Sequence, residues 1–108
     1  MSIPKQPKSN KGAITKAANG QACTLLLPGI GHHDPQTVIW AHSPFIGDGK
    51  SMGGKSRDWI GCMACSKCHD ILDGRTPTNH DREFLRAQFY HAMKVSLMRL
   101  QDMGVKLW

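Results

Sequence analysis

Four cysteines and six histidines carry most of the chemistry open to this 108-residue chain. Cys65-Ser-Lys-Cys68 is a C-x-x-C pair. A tight turn at that spacing puts both sulfurs on one side, where they can hold a tetrahedral ion. A redox pair of the same spacing belongs in a βαβ context, and none surrounds this one. Further ligands must come from elsewhere. Cys23 is the one distant cysteine, and His32 and His33 follow the turn after it. The preferred set is Cys23, His32, Cys65 and Cys68, a closed structural zinc site. Cys62, in the overlapping Cys62-x-x-Cys65, competes for the fourth position, and His33 is a third choice. The plain alternative is that these thiols are merely small and buried. Three of them within seven residues favour metal.

A second group is His42, His69 and Asp73. His69 and Asp73 are four apart, so on a helix they share a face. A neutral histidine can take a proton from water. A divalent ion held by His69 and an acid can stabilise charge on phosphate oxygens. The structural alternative is histidines that are simply exposed or packed.

Short elements must position these groups. Cys23 to Pro28 reads as a strand, closed by Pro28-Gly29, and Thr37 to Ala41, ending near His42, reads as a second. Together they suggest a hairpin. Residues 43–57 are rich in Gly, Ser and Lys and read as a long exposed loop. A helix should begin near Cys65 and stop at Gly74. A longer helix should run from an Asp81 cap to about Met103, with Gly104 as its stop. Its apolar stripe is Leu85, Phe89, Met93, Leu97 and Leu100, with Arg82, Arg86, Lys94 and Arg99 on other faces.

Lys plus Arg is 14 against 8 Asp plus Glu, a net charge of +6. That balance points to an anionic partner, nucleic acid first. Residues 1–20 hold four lysines and no acid, and read as a flexible basic arm. Lys50, Lys55 and Arg57 are candidate nucleic-acid contacts in the glycine-rich loop. No apolar run is long enough to span a bilayer, and no export signal is visible. The expected location is the cytoplasm, where clustered thiols stay reduced and more often bind metal. Gly49 to Ser56 matches a phosphate loop formally, but Pro44 spoils the buried strand such a loop must follow.

The order strand, Ala41-His42, Gly-rich loop, Asp58-Trp-Ile and Cys65-Ser-Lys-Cys68-His69 resembles the HNH (His-Me finger) nucleases. More closely, Cys23, Leu27-Pro28-Gly29, Pro35-x-Thr37-Val-Ile-Trp-Ala41-His42, Ala64-Cys65-Ser-Lys-Cys68-His69-Asp70 and Asp73-Gly74-Arg75 are similar to the small YbcO-like nucleases of phages and prophages. The resemblance spans residues 15 to about 105. It implies His42 as general base, His69 as a catalytic-metal ligand and cysteines on a structural zinc. This chain departs from the pattern in places. Gly31 stands where a cysteine is usual, so His32 must replace it or the zinc set shifts. Ala41 precedes the base where many HNH enzymes have Asp, and the family's Asn is matched, if at all, by Asp58.

The expectation is a small α+β domain over residues 21–108, with a zinc-stabilised ββα-metal (HNH-like) core and a C-terminal helix. It would hydrolyse phosphodiester bonds of DNA with Mg²⁺ or another divalent ion, in a phage or prophage setting within the bacterial host cell. The competing expectation is a non-catalytic zinc module that binds nucleic acid or a host or phage protein.

Overall fold

The computed structural model describes residues 11–45 and 58–107. The expected contacts Lys50, Lys55 and Arg57, and the phosphate-loop match, lie outside these residues, as do residues 1–10 of the expected arm. Among the described residues the architecture is α+β. In chain order it has α1 (Lys11–Ala18), a 3₁₀ turn (Pro35–Thr37), β1 (Ile39–His42), β2 (Gly61–Ala64), α2 (Ser66–Leu72) and α3 (Arg82–Asp102).

The hairpin is not the expected one. β1 pairs antiparallel with β2, with His42 opposite Gly61, Ala41 opposite Cys62 and Ile39 opposite Ala64. Gly61-Cys-Met-Ala64 is a poor strand by composition, because glycine and alanine disfavour strands. Burial overrides that preference, since all four of its residues are inside. Gly61 is required there, because a Cβ would lie 2.6 Å from Trp40 Nε1 and 2.7 Å from the Ala41 carbonyl. The Trp40 indole crosses Gly61 to donate its N–H to the Asp58 carbonyl at 2.6 Å.

Cys23 to Pro28 forms no strand. This segment turns around a sulfur instead. Leu26 takes the left-handed φ of 46°, and its N–H donates to Cys23 Sγ at 3.5 Å. A non-glycine residue there costs roughly 1–3 kcal/mol. The turn lets Leu25 and Leu27 bury their side chains while Leu26 faces solvent. Residues 11–18 likewise correct the reading of 1–20 as an arm. They form α1, whose Ile14 and Ala18 are fully buried in the core.

The long helix follows its sequence signals. Asp81 caps α3 by accepting the Phe84 N–H at 2.7 Å, and Gly104 ends it with φ 77°. Leu85, Phe89, Ala92, Ser96 and Leu100 are the buried stripe, with Met93 and Leu97 at its edge. That stripe packs on β2. Ser96 supplies polar closure inside this contact. Its Oγ accepts the Met63 N–H at 3.0 Å and meets Thr24 Oγ1 at 2.9 Å. Thr24 in turn donates to the Met63 carbonyl at 2.8 Å, which ties the Cys23 segment to β2. No described helix is long and apolar enough to cross a membrane.

Candidate metal centre and flanking histidines

β2 runs straight into α2, and that junction builds the metal centre. Cys65 is the N-cap of α2 and Cys68 lies one turn on, so both sulfurs share a face. The Cys23 turn and His33 close over them. The donor atoms of Cys23, His33, Cys65 and Cys68 all lie within 4.8 Å of one another. His33 Nδ1 is 3.4 Å from Cys65 Sγ and 3.3 Å from Cys68 Sγ. Zinc at about 2.3 Å from sulfur and 2.0–2.1 Å from nitrogen, in a tetrahedron, sets N···S at about 3.6 Å. The cluster fits a four-coordinate ion such as zinc with a slight expansion.

The expected fourth ligand is corrected here. His33, not His32, turns to the sulfurs. His32 is exposed, lies outside the cluster, and lines a surface cleft with Asp34, Thr37, Cys65, Ser66 and Lys67. The two histidines lie in chain with no helix or turn, where successive side chains tend to opposite sides. One therefore faces the centre and its neighbour does not. Cys62 stays outside the cluster for a different reason. It sits in β2, where extended chain rises about 3.3 Å per residue, so it starts about 10 Å from Cys65. Cys62 is fully buried, and burial pushes its thiol well above the usual range.

The centre is prepared for thiolates. Cys23 Sγ accepts the N–H groups of Leu26 at 3.5 Å and Cys65 at 3.4 Å. Cys68 Sγ accepts the Leu27 N–H at 3.5 Å. A hydrogen bond from the Cys68 thiol, opposed by burial and helped by the Leu26, Cys65 and Leu25 amides, holds the Cys23 thiol well below its usual range. The same bond, with burial, pushes Cys68 up. A cation held there would bind thiolates and displace the thiol protons.

The two histidines of the second group each face their own carboxylate. His42, at the end of β1, has Nε2 3.7 Å from Asp58 Oδ1. His69, on the last turn of α2 and next to Cys68 in sequence, has Nε2 2.9 Å from Asp73 Oδ2. Among the described residues, neither pair joins a third Cys, His, Asp or Glu into a group within 4.8 Å. Arg75 completes the α2 arrangement, 2.7 Å from Asp73 Oδ2 and 3.3 Å from Asp70 Oδ1. Burial raises the Asp73 carboxyl, but the His69 hydrogen bond and the charges of His69 and Arg75 outweigh it and hold it below its usual value. Sequence reasoning missed Arg75 as a partner of Asp73. The signal was Gly74, whose φ of 78° reverses the chain and brings Arg75 back over α2.

A hairpin, a following helix and a Cys₃His cluster that joins the Cys23 turn to that helix define a small α+β scaffold whose cluster could hold a metal ion. The family described as "Putative nuclease YbcO" matches residues 12–105, and the chain belongs to that family. It is 40% identical over 63 residues to proteins named "Putative nuclease YbcO" in Escherichia coli K12 and "Putative nuclease ybcO" in Enterobacteria phage 82. Those alignments cover 58% of this chain and 65% of each relative. A solved structure, "Structure of a putative bacteriophage protein from Escherichia coli str. K-12 substr. MG1655", superposes with a TM-score of 0.65 at 28% identity. It covers 82% of this chain and 96% of that one.

Proposed function

We propose that the chain is a metal-dependent endonuclease of the HNH (His-Me finger) type, cutting DNA in the cytoplasm of a phage- or prophage-bearing bacterium. The observation that carries this reading is the partly exposed His42 at the end of β1, with Asp58 beside its Nε2, in a chain of a nuclease-named family. The β1–β2–α2 order and the metal centre at the strand–helix junction support it.

In this reading His42 takes the proton from the attacking water, and the Asp58 carboxylate offsets the charge the ring acquires. His69 and Asp73 are the candidate holders of the catalytic cation. Their donor atoms lie 2.9 Å apart, close enough to share one divalent ion, and Arg75 would have to release Asp73 Oδ2 for it. Such an ion, when bound, supplies charge stabilisation at the phosphate. A zinc held by Cys23, His33, Cys65 and Cys68 would be structural, because four protein ligands would leave it no open position.

The deciding experiment is a cleavage assay on DNA forms with Mg²⁺, Mn²⁺ and other divalent ions, using zinc-loaded protein. His42→Ala is expected to abolish cutting while zinc content and DNA binding persist. Cutting by His42→Ala at the wild-type rate sinks the catalytic reading. One observation favours a second reading, a non-catalytic zinc module that binds nucleic acid or a host or phage protein. Arg75 already occupies the Asp73 oxygen that a cation would need. That reading expects DNA or protein binding and no cleavage with any ion.

A further inference from the structure

On α3, Arg82, Arg86 and Tyr90 recur every four residues and so form one row along the helix. The row lies against Phe45, which is 3% exposed. The Arg82 guanidinium sits 4.7 Å from the centre of the Phe45 ring, and that of Arg86 5.6 Å. Arg86 is also 5.6 Å from the Tyr90 ring and donates to its hydroxyl at 3.3 Å. Among the described residues neither arginine has a carboxylate within 4.0 Å. Of the acids nearest in sequence, Asp81 is engaged as the cap of α3, and Glu83, three residues before Arg86, forms no ion pair with either arginine among the described residues.

Both arginines are exposed, although Phe45 beneath them is not. Stacking fixes the plane of a guanidinium and leaves its N–H edge free to bind oxygen. Two such forks one helical turn apart, about 6 Å, suit oxygens of neighbouring phosphates on a strand. The row is also close to the proposed base. Phe45 follows His42 by three residues, and three residues span at most about 11 Å.

We infer that Arg82 and Arg86, held on Phe45 and Tyr90, form a phosphate-binding shelf that grips the DNA backbone beside His42. This rests on the nucleic-acid substrate of the proposed function. The shelf carries no base recognition, since guanidinium forks on phosphates position a duplex without reading it.

The test is salt-dependent binding of the zinc-loaded full chain to a fluorescently labelled DNA duplex. The variants are R82Q/R86Q, the charge-keeping R82K/R86K, and His42→Ala. Each phosphate contact contributes about 0.9 to the slope of log affinity against log salt on B-DNA, so R82Q/R86Q loses about 1.8. Between about 50 and 200 mM salt the wild type then loses about tenfold more affinity than R82Q/R86Q. R82K/R86K and His42→Ala are expected to keep the wild-type slope. A wild-type slope in R82Q/R86Q overturns the shelf. So does an equal loss of slope in R82K/R86K, because the role would then be packing and not charge. If the expected slopes are found and His42→Ala still cuts, the shelf stands and the catalytic reading falls. A wild type that binds no DNA at any salt overturns both.

Discussion

Removing the His33 imidazole takes one of four donors from the Cys₃His cluster and leaves the three thiols in place. Structural zinc binds small domains with about 10–16 kcal/mol at neutral pH. An equal share per ligand is about 2.5–4 kcal/mol, or about 10²–10³-fold in zinc affinity at 1.36 kcal/mol per decade. That share is a large part of the roughly 5–15 kcal/mol by which a domain this size is stable. It bears on the fold directly, because the segment from Cys23 to His33 has no strand or helix of its own and is tied to α2 through these donors. The assay is competition between the protein and a chromophoric zinc chelator, run on wild type, His33→Ala and His32→Ala. Cobalt-loaded samples report the number of thiolate and imidazole ligands. His33→Ala is expected to weaken zinc binding by about 10²–10³-fold and to lower the unfolding temperature. His32→Ala, whose ring is exposed outside the cluster, is expected to match wild type. If His32→Ala releases zinc and His33→Ala does not, the geometric assignment is wrong.

Three further outcomes follow from contacts in the core and on α2. Gly61→Ala drives a methyl into Trp40 and the Ala41 carbonyl, and is expected to cost about 1–3 kcal/mol in denaturant unfolding. Ser96→Ala strips the buried Met63 N–H of its acceptor and should cost about 1–3 kcal/mol, whereas a surface change such as Gln101→Ala should cost little. Asp73 has a lowered carboxyl pKa, so its stabilisation is complete above the unfolded value near 3.8 and is lost as pH falls through the lower folded value. The stability gap between wild type and Asp73→Asn, measured side by side from about pH 5 to about pH 2, is therefore expected to close towards the acid end. A gap that widens there would contradict the His69–Asp73–Arg75 arrangement.

Local chemistry was readable from residue order alone. Asp81 and Gly104 bracket α3 because a cap and a left-handed stop act within a few residues. Cys65 and Cys68 meet because one helical turn joins them, and His69 meets Asp73 for the same reason. These relations need no knowledge of the rest of the chain. Three others did. The apolar run of Leu25, Leu26 and Leu27 looks like a strand, but long-range burial and two N–H···S contacts bend it into a turn. β2 was hidden because Gly61 and Ala64 carry no strand preference, and only packing between β1 and α3 makes that stretch extended. His32 and His33 are identical in type and adjacent in sequence, so composition and spacing cannot separate them. The path of the chain from Pro28 to the 3₁₀ turn decides which ring meets the sulfurs. The sequence by itself thus determined which donor types exist and which pairs one helix brings together. The tertiary structure decided which histidine joins the cysteines and which strand pairs with β1, because both depend on contacts between segments about 20 to 40 residues apart, whose closure no local preference encodes.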